Sequence, residues 1–129
     1  MKPELKSILT LFILILSVNN ILSQTRDIDS LLVLVSKQKD DTMKIKSLNA
    51  LSWRLMGVKQ FEKAKSYALE MIALSRKFNF YKGFGGGYNI LYQIETRQGN
   101  LDESIRITSE ALEHYKADKS LKFQALAYG

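Results

Sequence analysis

The sequence contains no cysteine and one each of proline, histidine and tryptophan among 129 residues. The absence of cysteine excludes disulfides, thiolate metal ligands, a cysteine nucleophile and a lipid-modified N-terminal cysteine. The one proline is Pro3, so no proline interrupts a helix in the rest of the chain. No segment of any length alternates apolar and polar residues with the period of a strand. These features predict an all-α protein.

The single histidine, His114, offers little for catalysis or metal binding. A zinc site here would need three carboxylates beside it, an unusual ligand set, and a phosphorelay histidine needs a four-helix context that the pattern does not indicate. The neighbouring acids Asp102 and Glu103 fit the first turn of a helix, where the helix dipole favours negative charge. No Ser-His-Asp set can be assembled at a useful spacing. We therefore interpret His114 as a solvent-facing helix residue and expect no enzyme activity, no metal and no cofactor.

A cluster of glycines, Gly83-Phe84-Gly85-Gly86-Gly87, is the one motif that resembles a phosphate-binding loop. The Walker pattern requires Gly-Lys-Ser/Thr at its end, whereas Tyr88 and Asn89 follow here. A dinucleotide fingerprint should follow a strand, and its last glycine would fall at Tyr88. We interpret Gly85–Gly87 as the opening of a helix at a place where neighbouring helices crowd.

The N-terminus has the organisation of an export signal. Lys2 and Lys6 precede the apolar segment Ile8–Leu16, and a more polar segment, 17–23, follows it with a small residue available for cleavage. The alternative is a transmembrane anchor. The apolar run ends at Val18, well short of the roughly 20 residues needed to span a bilayer. We predict that residues 1–23 are a cleaved signal peptide and that the protein is periplasmic or otherwise extracytoplasmic, with the exact cleavage site open.

The charge of the predicted mature chain is moderately basic. Removal of residues 1–23 leaves 17 basic and 12 acidic residues, a net charge of +5. The basic residues are dispersed, usually with acids close by, as expected of a solvated surface. Dispersed charge and export both argue against nucleic acid as a partner.

Two segments forty residues apart carry the same pattern. Residues 48–52, Leu-Asn-Ala-Leu-Ser, align with residues 88–92, Tyr-Asn-Ile-Leu-Tyr, and the same offset pairs Met71 with Ala111 and Tyr88 with Tyr128. A repeat of this length indicates a solenoid, in which each unit is too small to bury its own apolar face.

Helical periodicity and capping signals divide the chain into five parts. These are a signal peptide (1–23), a leading helix (24–41) with Asp27 as its N-cap, two helix–turn–helix units (42–81 and 82–118) and the truncated start of a third unit (119–129). Gly99 and Asn100 separate the helices of the second unit, with a capping box between Asn100 and Glu103. The register predicts these core residues: Leu51, Leu55, Ala64, Ala68, Leu91 and Ala111. It places Lys65 on the exposed face.

The third unit breaks off in the middle of a helix. An array that stops there leaves an apolar face uncovered. We therefore expect that the chain is a truncation and that it can self-associate through an open C-terminal face.

The pattern of both units resembles the tetratricopeptide repeat (TPR). The matching positions are Leu48, Leu51 with Ser52, Lys59, Ala64, Ala68 and Met71 in the first unit and Tyr88, Leu91 with Tyr92, Gly99, Ser104, Thr108 and Ala111 in the second. Tyr92 is bulkier than usual, Lys59 replaces the turn glycine, and the period exceeds the common 34 residues. The resemblance implies an α-solenoid of antiparallel helix pairs.

The resemblance also implies a function, because helix A of each TPR unit lines the concave groove. The positions carried over as groove residues are Lys46, Asn49, Trp53, Met56, Asn89, Gln93 and Arg97. Asparagine amides can hold a peptide backbone or carboxylate, and Trp53 suits an interface anchor. Alternatively, Asn49 and Asn89 only bond between adjacent helices and Trp53 only packs.

Two functions remain open at this stage. The first is a non-catalytic scaffold that binds a peptide or protein partner in the groove. The second follows from residues 28–53, which resemble the start of exported repeat regions in Gram-negative bacteria. Such regions often precede a transmembrane helix and a histidine-kinase or DNA-binding output module, so the chain could be the extracytoplasmic sensor or dimerisation region of a longer membrane protein.

Overall fold

Five helices account for almost all of residues 1–119, the part of the chain that the structure, a computed structural model, describes. They are α1 (Pro3–Lys37), α2 (Thr42–Gly57), α3 (Phe61–Lys77), α4 (Tyr81–Gln98) and α5 (Leu101–Ala117). No strand occurs in residues 1–119, and the all-α prediction is confirmed. The predicted third unit, apart from Lys119, lies outside the described residues.

Helix α1 is one continuous helix that joins the predicted signal peptide to the leading helix. Asp27 therefore lies inside a helix and does not cap one, contrary to the sequence-based prediction; its carboxylate faces Arg54 of α2 at 3.7 Å. The first buried residue of α1 is Ile28, and none of residues 1–23 is buried. An 18-residue window of α1 has a mean hydropathy of 1.9, so this helix is long and apolar enough to cross a membrane, a test that signal sequences also pass.

The three turns after α2, α3 and α4 share one geometry, and they recur every twenty residues. Each has a residue in the left-handed region: Lys59 (φ 61°), Asn79 (φ 51°) and Gly99 (φ 79°). In each, the next amide donates to a carbonyl five residues earlier, as at Gln60 N to Leu55 O (2.9 Å). This is the 6→1 bond of a Schellman motif. The identical turns reverse the chain in the same way each time.

The predicted capping box at the start of α5 does not form. The Asn100 side chain makes no cap to α5 and instead donates from Nδ2 to Glu95 Oε2 at 2.7 Å. The side-chain amide of Asn100 bonds Glu95 because the Schellman turn places the C-terminal end of α4 beside it. Glu103 bonds Arg106 instead.

Each helix packs against the next, and α4 also approaches α2. Within residues 1–119, no Cα atom of α3 lies within 8 Å of a Cα atom of α1 or α5. The buried side chains of all five helices form one continuous core. Of the predicted core residues, Leu51, Leu55, Ala64, Ala68 and Leu91 are buried. Ala111 is only partly buried, because no described helix covers its outer side.

The glycine cluster lies in the first half of α4, where three neighbouring helices crowd it, as the sequence analysis predicted. A Cβ added at Gly87 would strike Ile72 and lie 3.0 Å from the carbonyl oxygen of Ala68 on α3. A Cβ added at Gly85 would lie 2.6 Å from the hydroxyl of Tyr115 on α5. The glycines therefore allow close helix contact, and their backbone is held within a regular helix.

Gly87→Ala should destabilise the protein, whereas Gly57→Ala should not. The new methyl at residue 87 meets a backbone carbonyl that cannot move aside, and overpacking of this kind costs about 1–3 kcal/mol. Gly57 ends α2, and a Cβ there meets nothing within 4 Å, so alanine should be neutral or stabilise by up to about 1 kcal/mol. Urea unfolding followed by circular dichroism measures both; equal midpoints would contradict the helix contact described here.

Candidate functional site

A groove between α2 and α4 is the best candidate binding surface. This α2–α4 groove has a volume of about 300 Å³. It is lined by Ile45, Lys46, Asn49, Met71, Phe80, Lys82, Gly83 and Gly86. The floor is apolar, and two lysines and one amide stand at its edge. The groove exists because Gly86 lets α4 cross close to α2 and α3: a Cβ there would lie 3.1 Å from Met71 Cε and 3.6 Å from Asn49 Oδ1.

The structure brings Lys46 and Asn49 together in this groove. Their positions depend on where α2 begins. Asp41 caps this helix by accepting hydrogen bonds from the backbone amides of Met43 (2.8 Å) and Lys44 (2.9 Å). One turn separates the two side chains on the helix, so they point the same way. Lys46 is exposed and Asn49 half-buried. Of the predicted groove residues, these two form a shared site.

Two other predicted groove residues of α2 lie elsewhere. Met56 is only 1% exposed and belongs to the core, so its prediction as a contact residue is wrong: its thioether faces inward among packed side chains. Trp53 is 37% exposed but lines a separate, smaller depression of about 160 Å³ with Gln24 and Ile28 of α1. The tryptophan is thus on the α1 side of α2, away from Lys46 and Asn49.

The predicted residues of α4 do not join the α2–α4 groove either. Asn89 lines a depression of about 320 Å³ between α4 and α5. Gln93 is half-buried and Arg97 is exposed, and neither lines a described depression. Within residues 1–119, the amides of Asn49 and Asn89 make no hydrogen bond to a neighbouring helix, so the interpretation that they only join helices gains no support.

A second cleft, between α3 and α5, was not foreseen from the sequence. It has a volume of about 390 Å³ and an apolar floor that includes Ile72, Leu91 and Ile107. At one end, Lys65 Nζ lies 2.6 Å from Glu95 Oε1, and Glu95 is only 5% exposed. The prediction of Lys65 as a merely exposed residue is wrong, because its ammonium group neutralises a buried carboxylate of α4.

The pKa values of this pair move in opposite directions. The hydrogen bond from Lys65 holds the pKa of Glu95 below its usual value, against the opposing effect of burial and with help from the Asn100 amide. The hydrogen bond to Glu95 raises the pKa of Lys65. The pair thus stays charged through the neutral range and joins α3 to α4.

At the other end of the α3–α5 cleft, the polar and charged side chains also bond one another. The Tyr88 hydroxyl donates to Glu110 Oε1 at 3.1 Å, and burial, followed by this carboxylate, raises the pKa of Tyr88 to about 12. Arg106 donates to Glu110 (2.9 Å) and to Glu103 (2.7 Å). His114 is half-exposed at the cleft edge, and its ring meets Phe84 edge-on at 6.1 Å.

The pairing in the cleft limits its chemistry. Its three carboxylates each have a cationic partner on the same or an adjacent helix, so no unpaired acid is held in position for proton transfer. Across residues 1–119 there is no group of three or more His, Asp or Glu side chains that could hold a metal. The Lys65–Glu95 pair joins α3 to α4, and the Tyr88–Glu110 hydrogen bond joins α4 to α5.

Lys65→Ala should destabilise the protein by about 1–3 kcal/mol, because it leaves a buried carboxylate short of a charged partner. Lys63→Ala, at an exposed lysine of the same helix, is the control and should change little. Thermal unfolding by circular dichroism measures both, and equal melting temperatures would contradict the assigned pair.

The Lys65–Glu95 pair should also shape the pH dependence of stability. The pKa of Glu95 is depressed in the folded state, so its contribution is complete above the ordinary value of 4.5 and is lost as pH falls through the lower folded pKa. The pKa of Lys65 is raised, so its contribution is lost only as pH rises past 10.5. Glu95→Gln should therefore melt at a lower temperature than the parent at pH 7, and the difference should shrink in acid. A constant difference from pH 7 to strong acid would contradict the assignment.

Comparisons of this chain with protein-family models, with curated proteins and with solved structures give no match.

Proposed function

We propose that the chain is an α-solenoid of the TPR type. Three observations support this. Successive helices pack side by side after tight reversing turns, and the turns repeat every twenty residues. The backbone of α4 approaches that of α2, whereas the backbones of α3 and α5 do not come within 8 Å between Cα atoms in residues 1–119. In a TPR array the A helices line the inner surface, which corresponds to α2 and α4. Small residues at Ala64, Ala68 and Gly87 permit the close approach that such stacking requires.

We infer that the protein is a non-catalytic scaffold that binds a peptide segment in the α2–α4 groove. One observation carries the proposal: the free amide of Asn49 and the ammonium group of Lys46 stand at the edge of an apolar groove. An amide can hydrogen-bond both groups of a peptide unit, and lysine attracts a carboxylate. The preferred ligand is therefore an acidic peptide with at least one large apolar side chain for the floor.

The test begins with a peptide selected against the chain from a random displayed library, with binding measured by fluorescence anisotropy. Lys46→Glu should weaken binding about tenfold or more, equivalent to about 1.4 kcal/mol, and Asn49→Ala should also weaken it. Trp53→Ala should leave the affinity unchanged, since Trp53 lines a different depression.

Lys63→Glu is the matched control, because it changes the net charge by the same amount at an exposed position on α3. It should affect only the association rate, and only at low salt. Equal losses for Lys46→Glu and Lys63→Glu would show that net charge alone attracts the peptide, and the groove proposal would then fail.

We also propose that the protein is exported and that residues 1–23 are removed. The supporting observation is that none of these residues is buried, whereas α1 enters the core from Ile28 onward. Cleavage would thus take nothing from the core. If the apolar part of α1 is retained instead, the helical units are held at a membrane, as the alternative function requires. In that case the chain is the sensor or dimerisation region of a membrane histidine kinase or transcriptional regulator, with its output module beyond residue 129.

Residues 24–129 should melt within about 2 °C of the full chain, because exposed residues add little to stability. Expression in a Gram-negative host, followed by fractionation and intact-mass measurement, should give a soluble periplasmic species that has lost residues 1–23. A full-length species in the membrane fraction would instead favour the anchored alternative.

A further inference from the structure

Four glycines lie in the first half of α4, although alanine would stabilise the helix at each position. Packing accounts for three of them. A Cβ added at Gly83 would strike Ser75 Oγ on α3. A Cβ at Gly85 would lie 2.6 Å from the hydroxyl of Tyr115, and one at Gly87 would strike α3. These three glycines allow close helix contact, and the fourth needs another explanation.

The fourth glycine, Gly86, is under a weaker steric constraint. Beyond its own helix, a Cβ there would have only Met71 Cε at 3.1 Å and Asn49 Oδ1 at 3.6 Å within 4 Å. The first atom is the far end of a flexible side chain, and the second distance is an ordinary contact. Forty residues earlier the same position of the repeat is Lys46, whose side chain is exposed. A small movement of Met71 would accommodate a methyl group, so helix packing alone does not require glycine at residue 86.

A side chain at residue 86 would instead occupy the α2–α4 groove. Gly86, Met71 and Asn49 all line this groove, and an added Cβ would approach the other two. A longer side chain would reach further into its volume of about 300 Å³. Glycine at residue 86 thus keeps the groove open, in a helix that alanine would stabilise. A local departure from the stable choice is expected at a functional position.

We propose that Gly86 is a specificity-determining residue of the groove and that the group it admits is an aromatic ring of the bound peptide. This inference rests on the peptide-binding function proposed above. Because Gly86 has no side chain, the α4 wall of the groove there is helix backbone, against which a planar ring can lie. The half-buried ring of Phe80 lines the same groove. A pair of aromatic rings is more favourable than the apolar area it buries.

Lys46 gives a second reason for an aromatic occupant. Its side chain is exposed at the edge of the groove. An ammonium group is attracted to the face of an aromatic ring and also to a carboxylate. An aliphatic side chain would gain neither the contact with the Phe80 ring nor that with the ammonium group. The ligand class is therefore a peptide in which Phe, Tyr or Trp lies close to an acidic residue.

Gly86→Ala tests the glycine in the full 129-residue chain. It should lower the affinity for the library-selected peptide about threefold or more, while the melting temperature stays equal to that of the parent or rises. Gly86→Leu should fill more of the groove and lower the affinity about tenfold or more. Gly57→Ala is the matched control, because a Cβ there meets nothing within 4 Å. It should leave the affinity unchanged.

A peptide series tests the ring without a change in the protein. The largest apolar residue of the selected peptide is replaced in turn by Phe, Leu and Ala, and binding is measured by fluorescence anisotropy. The Phe peptide should bind about threefold or more tightly than the Leu peptide, and the Ala peptide should bind least. The difference between Phe and Leu should shrink in Gly86→Leu. Equal affinities of the Phe and Leu peptides for the parent would overturn the aromatic occupant.

Lys46→Glu distinguishes a failure of this proposal from a failure of the peptide-binding function. If Lys46→Glu weakens binding but neither Gly86→Ala nor Gly86→Leu does, the groove binds the peptide and Gly86 does not determine its specificity. If Gly86→Ala lowers the melting temperature together with the affinity, helix packing explains the glycine and the proposal is overturned. If Lys46→Glu has no effect on binding, both proposals fail.

Discussion

The close contact between α3 and α4 is the constraint on which the rest of the structure depends. Gly87 lies against Ala68 and Ile72, at a distance that leaves no room for a Cβ. Because the two backbones approach so closely, α4 reaches across to α2 as well, and one core extends through all five helices. In the solenoid that we propose, stability depends on such contacts between neighbouring helices. The local cost of glycine in a helix, about 1 kcal/mol each, is offset by this packing.

The same contact between α3 and α4 also determines where the α2–α4 groove and the Lys65–Glu95 pair lie. Where α4 crosses α2, Gly86 leaves an apolar groove edged by Lys46 and Asn49. Where α4 lies beside α3, it brings Glu95 under Lys65. A buried carboxylate is tolerated only with its hydrogen bonds and charge satisfied, and Lys65 and Asn100 supply both. The groove is therefore an open surface depression, whereas the charge of the buried carboxylate is neutralised by Lys65.

The all-α class, the turn at Gly99 and most of the core residues could be predicted, whereas the continuous helix α1 and the start of α5 could not. Gly99 as a left-handed turn residue, Ala64 and Ala68 as core positions, and the crowding at the glycines all follow from local rules. The candidate site was predicted less well. Lys46 and Asn49 share a groove, whereas Met56 is in the core and Trp53 and Asn89 line other depressions. The carried-over positions assumed that every exposed stripe of α2 and α4 opens onto one concave surface.

The sequence by itself determined the all-α class, the forty-residue repeat and the periodicity of each helix, because these depend on residues close together in the chain. The tertiary structure alone decided which neighbour each face meets. Helical spacing places Lys65 on a side of α3, but only the packing of α4 and the turn to Asn100 put a buried carboxylate there. Likewise Asn49 and Asn89 occupy equivalent positions, yet α4 covers one unit and no described helix covers the other. The physical reason is that burial and pairing energies arise between residues distant in sequence.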